Sequence, residues 1–312
     1  MRLIPLLSIL VAGSVSLLTS HSFTPQDRPT FKASSELVVL HVSVRDRGGR
    51  DTTGLTRDAF TVIDDGKPQA LEMFSADEVP ASVGLLIDNS NSMQPSHDRV
   101  IASSVAFAKN SHPQDEIFAL TFNEQVRHAW GPRVIAEMDP GAFAVAMNDA
   151  ITARGMTALY DGIAAGLSRL EHAKHTRQVL IVLSDGGDNA SKVTRDEVMT
   201  RLHESDATVY SVAIIDPLVR DGSDPKLMRR LAKSTGGEFY APRKIDDIAG
   251  AFESIAKDIR NAYTLAYTPT RTTDAAQGRR RLVRVYVRSK DGRALTVRTR
   301  DGYFEKGSEA RQ

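Results

Sequence analysis

Gly84-Leu85-Leu86-Ile87-Asp88-Asn89-Ser90-Asn91-Ser92-Met93 is an apolar stretch that runs straight into a polar loop. Val83 to Ile87 is short and unbroken, as expected of a central strand covered on both faces. The run stops at Asp88, and two hydroxyls follow at alternating positions, Ser90 and Ser92. All three side chains offer oxygen, and none offers sulfur or imidazole. An oxygen-only donor set suits a hard divalent cation such as Mg²⁺ rather than zinc or copper. The competing reading is a solvated loop whose Asp and Ser simply cap the next helix.

Two later stretches bear on that choice. Gln178 to Leu183 is a second apolar run, and it ends in Ser184-Asp185-Gly186-Gly187. Ligand sites of open parallel sheets gather at the carboxyl ends of the strands, so Asp88 and Asp185 are expected to meet there. Between them lies Gly155-Met156-Thr157-Ala158-Leu159-Tyr160-Asp161-Gly162, a hydroxyl in a glycine-flanked loop that opens a helix.

Taken together, Asp88-x-Ser90-x-Ser92, Thr157 and Asp185 resemble, one by one, the metal-ion-dependent adhesion site of the von Willebrand factor type A domain family. The resemblance covers roughly residues 80–262. It implies that Ser90, Ser92 and Thr157 supply hydroxyl ligands, with Asp88 and Asp185 acting directly or through waters. It implies Mg²⁺ as the cofactor, with Mn²⁺ or Ca²⁺ also acceptable to oxygen ligands. It further implies a protein partner whose Asp or Glu carboxylate completes the metal's shell. The flanks resemble an exported acidobacterial subfamily, with a β segment before the domain and a Tyr-x-Leu-x-Tyr … Arg-x-Gly-Tyr pattern after it. Here those residues are Tyr263, Leu265 and Tyr267, then Arg300, Gly302 and Tyr303, with Asp301 between.

At 312 residues the chain can hold one large domain and a small one. A net charge of +1 gives no broad attraction to nucleic acid or acidic membranes. Cysteine is absent, which excludes disulfides, thiol catalysis and cysteine metal sites. Arg2 followed by the apolar run Leu3 to Leu18 reads as a secretory signal peptide over residues 1–22. The alternative is an uncleaved anchor, because no Ala-x-Ala marks a cleavage site. Export to the periplasm or the extracellular surface follows from either reading. Residues 23–34, with Pro25 and Pro29, read as a linker.

Residues 35–79 read as a small antiparallel β module. Val38, Leu40, Val42 and Val44 alternate with Val39, His41, Ser43 and Arg45, which predicts a half-buried strand with His41 on the solvated face. Phe60 to Ile63 and Gln69 to Phe74 are expected to form a hairpin around Asp65-Gly66. Residues 80–262 then alternate strands with helices, which predicts an α/β, Rossmann-like, doubly wound and mostly parallel sheet. Its helix starts include Asp139-Pro140, the capping box Thr194 to Glu197, and Asp224-Pro225. β patterning returns over residues 263–304, where Val283, Val285 and Val287 alternate with polar residues. Leu295 to Arg298 is expected to pair back on them across Asp291-Gly292. Neither terminal piece has enough apolar face to stand alone, so both are expected to form one antiparallel β-sandwich into which the α/β domain is inserted. Gly278-Arg279-Arg280-Arg281 reads as a solvated hairpin tip and residues 305–312 as a disordered tail.

Two functions remain in play from sequence: a metal-dependent adhesion or scaffolding module, and a metallohydrolase. Hydrolysis needs a base to activate water. His97 is the nearest histidine, and it is expected on the following helix, facing solvent. His172 and His175 match no zinc pattern, and Ser184 lacks a nucleophile elbow. No phosphate-binding glycine loop occurs, so neither nucleotide nor nucleic acid is expected as a partner. The expected function is therefore binding rather than catalysis. A structural domain with an unused site is the third reading.

Overall fold

The computed structural model describes residues 37–215, 222–270, 279–289 and 292–305. The expected signal peptide and linker, Gly278, Asp291 and all of the expected tail beyond Glu305 lie outside the described residues. Among the described residues, no helix is long and apolar enough to cross a membrane.

Four strands precede the α/β domain in two different sheets: β1 (Val38–Asp46), the hairpin β2 (Phe60–Asp64) and β3 (Lys67–Gln69), and then β4 (Met73–Ser75). The domain itself runs β5 (Ala81–Asp88), α1 (His97–Asn110), β6 (Glu116–Phe122), β7 (Val126–Val134), α2 (Pro140–Ala150), α3 (Leu159–Leu170), β8 (Arg177–Ser184), α4 (Arg195–Glu204), β9 (Thr208–Ala213), α5 (Pro225–Thr235), β10 (Phe239–Tyr240) and α6 (Ile248–Asn261). The chain ends in β11 (Tyr263–Tyr267), β12 (Arg280–Val287), β13 (Leu295–Arg298) and β14 (Gly302–Phe304).

The central sheet has the order β10-β9-β8-β5-β6-β7, parallel except for β7 at one edge. Every residue of β5 is buried, as its continuous apolar sequence requires of a strand between two helical layers. One layer packs α1, α2 and α6 on the face that includes Val83, Leu85 and Ile87. The other packs α3, α4 and α5 against Leu86, Leu120 and Val182. The expected caps form: Asp139 accepts from Gly141 and Ala142, Thr194 and Glu197 close a capping box, and Asp224 accepts from Leu227.

The terminal strands build the sandwich expected of them. One sheet has the order β13-β1-β11-β4 and the other β14-β12-β2-β3, so each mixes strands from both ends of the chain. Val42, Val62, Leu265, Val283 and Tyr303 share one core between them.

Four expectations fail here, each for a physical reason. The Gln69–Phe74 strand is split: β3 pairs with β2, whereas β4 crosses to the other sheet and pairs with β11, with Leu71 buried at the crossing. Leu295 to Arg298 does not fold back on β12; it pairs with β1, extending the sheet that would otherwise end there. Arg281 is not at a solvated tip. It is 2% exposed, and its Nε donates to Asp64 Oδ1 at 2.8 Å. Tyr267 and Tyr303 donate to Asp64 Oδ2 at 3.0 and 2.9 Å, which raises both phenols through burial and the neighbouring charge. Finally, His41 does not face solvent. The second face of β1 lies against the α/β domain, and burial together with Arg177 and Arg300 pushes His41 down to about 3, so it stays neutral.

That covered face is bolted down by ions. Asp258 of α6 is 1% exposed and accepts from Tyr210 at 2.6 Å, from Arg298 at 2.6 and 2.7 Å and from Arg45 at 3.3 Å. Glu238 accepts from Arg45 at 2.5 Å and also pairs with Arg298. Burial alone would lower both guanidinium pKa values, but Asp258 and Glu238 outweigh it and raise them. Arg300 donates to Asp206 at 2.6 Å and to the carbonyls of His203 and Ser205 at the end of α4, where a cation is favoured.

Replacing Asp64 by Ala takes the nearest carboxylate from the buried Arg281 and leaves it only the longer pairs with Asp65 and Glu305, at 4.0 and 3.9 Å. Asp64→Ala is expected to cost about 3–5 kcal/mol, as breaking one partner out of a buried ion pair does. Urea unfolding monitored by circular dichroism would read this as a lower midpoint at unchanged slope.

Candidate functional site

The site lies at the carboxyl ends of β5, β6 and β8, opposite the end where the sandwich strands enter and leave the domain. β5 and β8 are parallel neighbours in register, with Ile87 beside Leu183. Asp88 therefore emerges next to Ser184, and Asp185 one residue further on. Asp88 is fully buried. Its Oδ1 accepts the Ser90 amide at 2.9 Å, and its Oδ2 accepts the Ser184 hydroxyl at 2.6 Å. Burial pushes the Asp88 carboxyl up to about 6; the Ser184 and Ser90 hydrogen bonds pull it back, and the Asp185 charge adds to the rise. The two aspartates thus act on each other, although 97 positions separate them in sequence, 185 against 88.

Ser90 and Ser92 stand together, with their Oγ atoms 3.1 Å apart. Ser90 is buried and Ser92 half-buried. The chain turns through a 3₁₀ segment, Asn91–Ser96, directly after Ser90, and this turn brings the two hydroxyls to one side. Asp185 is half-buried, and its Oδ1 accepts the Gly187 amide at 2.9 Å. Gly186 has φ +88°, and a Cβ there would collide with the Asp224 carbonyl, so only glycine lets this loop turn against the start of α5.

Thr157 is buried, and its loop is tied to both neighbours. Its amide donates to Asn189 Oδ1 at 2.8 Å, and its carbonyl accepts from the amides of Asn189 and Ala190 at 2.9 and 3.0 Å. On the other side, Asn89 Oδ1 accepts the amides of Thr152 and Ala153 at 2.7 and 2.6 Å, and Asn89 Nδ2 donates to the Ala150 carbonyl at 3.1 Å. The five residues singled out from sequence therefore lie on three loops that are hydrogen-bonded to one another.

The asparagines and Ser184 were not assigned these roles from sequence. In sequence Ser184 stands out only as a would-be nucleophile; in the structure its hydroxyl orients Asp88. Position just after a strand end, beside an aspartate, was the available signal. His97 opens α1 as expected, yet it is only partly exposed. Its Nε2 donates to the Ile151 carbonyl at 2.6 Å, and Nδ1 sits 2.9 Å from Asp98 Oδ1. The hydrogen bond to Asp98 raises its pKa.

The donor set fits a small hard cation. Adjacent ligands of an octahedral Mg²⁺ at about 2.1 Å stand about 3.0 Å apart. The Ser90–Ser92 separation of 3.1 Å is close to that value. It is also longer than the usual ~2.7–2.8 Å of a hydroxyl–hydroxyl hydrogen bond. Among the described residues, no three His, Asp or Glu side chains converge as a metal cluster. A cation here would therefore rest mainly on hydroxyls and water, with Asp88 and Asp185 as its only carboxylates.

Comparison with known proteins bears on the fold. The family model described as von Willebrand factor type A domain matches residues 82–254, more than half of the chain. A solved structure, the von Willebrand factor type A protein from Catenulispora acidiphila, superposes with a TM-score of 0.51 at 13% identity, covering 89% of this chain and 76% of that one. Proximal thread matrix protein 1 from the mussel byssus superposes with a TM-score of 0.50 at 14% identity, covering 63% of this chain and 51% of that one. These likenesses are of fold. An uncharacterized protein from Borreliella burgdorferi is 26% identical over 102 residues, which is 27% of this chain and 30% of the relative. The match thus spans under a third of that curated relative's length.

Asn89→Ala removes three hydrogen bonds that hold the loop before Thr157. The amides of Thr152 and Ala153 are expected to exchange with solvent at least tenfold faster than in the wild type, since each lost buried bond is worth about 1–3 kcal/mol. Hydrogen exchange read by NMR checks this.

Proposed function

The chain belongs to the von Willebrand factor type A domain family, and from that premise we propose that it is an exported, metal-dependent protein-binding module. Asp88, Ser90, Ser92, Thr157 and Asp185 form its metal-ion-dependent adhesion site, and the resident ion is Mg²⁺. Mn²⁺ has the same preference for oxygen ligands. The observation that carries this reading is the Ser90–Ser92 hydroxyl pair, spaced 3.1 Å apart beside a buried Asp88 whose two oxygens already accept protein hydrogen bonds.

The chemistry follows from the donors. Hydroxyls are neutral, so a cation resting on Ser90, Ser92 and Thr157 keeps most of its charge. Asp88 is oriented by Ser184 and the Ser90 amide and acts on the ion through its remaining lone pairs or through water. Asp185, one residue past the neighbouring strand, does the same from the other side. The ion supplies an open, electropositive coordination position, and a partner's Asp or Glu carboxylate is the fitting group to fill it. The role is binding rather than hydrolysis, because the nearest histidine, His97, has both ring nitrogens engaged with acceptors. The apolar leader Leu3–Leu18 supports a periplasmic or extracellular location.

Isothermal calorimetry with Mg²⁺ tests the site. Wild type is expected to bind one ion, and Asp88→Ala and Asp185→Ala are each expected to weaken binding at least tenfold while remaining folded. Equal Mg²⁺ affinity in wild type and Asp88→Ala would sink the assignment.

A further inference from the structure

Among the described residues two arginines are fully buried, Arg281 and Arg177, each 2% exposed. Arg281 has the Asp64 carboxylate at 2.8 Å. Arg177, at the start of β8, has no carboxylate paired with it among the described residues. Its guanidinium donates instead to carbonyls at the end of α6, those of Ile259 at 2.5 Å and Ala262 at 3.0 Å. The C-terminal end of a helix carries about half a negative charge, so about half of the Arg177 charge is left unmet. Burial accordingly lowers the Arg177 pKa, and Tyr210, Asp115 and Asp258 only partly offset it, whereas Asp64 raises that of Arg281. The unmet charge also reaches His41, where it adds to burial in keeping the ring neutral.

A small cavity adjoins Arg177 at the seam between the sandwich and the α/β domain. Its wall includes His41 and Ser43 of β1, Arg177 of β8, Thr208 of β9 and the end of α6. Alternation along β1 puts His41 and Ser43 on one face. The space open to the centre of a water-sized sphere is about 10 Å³, enough for one water or one ion of similar size. Arg177 has N–H donors beyond the two that reach carbonyls, and Ser43 and Thr208 add hydroxyls. None of the wall residues is an acid. A water would satisfy these donors and leave the charge unmet. We propose that this cavity binds one monovalent anion of chloride size, held by Arg177 and by the hydroxyls of Ser43 and Thr208. The ion gives the buried guanidinium its counter-charge and ties β1 of the sandwich to β8 and β9. Sulfate or phosphate, with four oxygens about a central atom, exceeds the space and brings more charge than is unmet. The cavity lies at the amino ends of β8 and β9, so it is independent of the metal site proposed at their other ends.

Chlorine-35 NMR on the full chain tests this, with sodium gluconate holding the ionic strength constant. Wild type is expected to broaden the chloride line saturably, with bromide competing and sulfate not. Arg177→Met is expected to remove the saturable component. Arg177 also ties the end of α6, so Thr208→Val and Ser43→Ala are measured beside it; both keep Arg177 and its carbonyl bonds. Each is expected to weaken chloride at least about tenfold, as loss of one hydrogen bond to a charged group does. The His41 ring protons are expected to shift over the same chloride range in wild type and to stay put in Arg177→Met. Absence of saturable broadening in wild type overturns the proposal, and the cavity is then a water site. Equal chloride affinity in wild type and both hydroxyl variants also overturns it, because the ion then sits elsewhere. Displacement by sulfate as readily as by bromide overturns the assignment to a small monovalent ion.

Discussion

A carboxylate with no exposure stands at the end of the central strand, and most of the surrounding architecture serves it. Removing Asp88 from water is costly unless donors reach it, and only backbone and hydroxyl donors do. Ser90 reaches it because the chain turns sharply after β5. Ser184 reaches it because β8 is the parallel neighbour of β5 and ends at the same level. A slip of one residue in that pairing would turn Ser184 away and bring Leu183 to the carboxylate. Register in the sheet and polarity at its end are therefore one constraint. The pKa pushed up to about 6 shows that the two donors do not fully offset burial and the Asp185 charge. An added cation is the group that would complete the balance.

The opposite end of the domain solves an inverse problem. There the buried acid Asp258 is met by Arg45 and Arg298, and inside the sandwich Asp64 is met by Arg281. Each arginine comes from a sandwich strand, so the same ionic contacts that satisfy Asp258 fix the sandwich to α6 and β10. The phenols of Tyr267 and Tyr303 complete the shell of Asp64, and Tyr263 joins the Thr52 carbonyl to the Leu55 amide. Three tyrosines that form only a spaced pattern in sequence thus serve two places in the sandwich, two of them at Asp64 and one at the Thr52–Leu55 turn.

Most of the α/β domain was legible from local signals. The runs Val83–Ile87 and Gln178–Leu183 carry their own strand length and their own end, and Asp139-Pro140, Thr194 and Asp224 mark helix starts by side-chain chemistry that acts within three residues. The misread parts depend on what packs from elsewhere. His41 alternates with core residues as a surface residue does, but its face of β1 is covered by the α/β domain. Arg281 sits in a basic run that looks solvated until Asp64, 217 positions away, is brought beside it. β13 follows a turn signal, yet pairs with β1, whose open edge lies where Asp258 and Glu238 meet Arg298. At the site, Asp88, Ser90, Ser92, Thr157 and Asp185 were readable as a donor pattern, whereas Ser184 and the asparagines act by orienting others. That role depends on register and loop contact, which residue type alone does not encode.

The asparagines make a final point about how such a site can be both rigid and weakly charged. Asn89, Asn91 and Asn189 each bridge two loops with a neutral side chain. Aspartates at the same places could accept the same amides, and Glu124 does so at the rim for Met156. Each would also add a negative charge near the position where a partner carboxylate is proposed to arrive, and would raise Asp88 further above about 6. Neutral ties hold the loops without doing either. Among the five residues of the proposed site, negative charge is thus confined to Asp88 and Asp185.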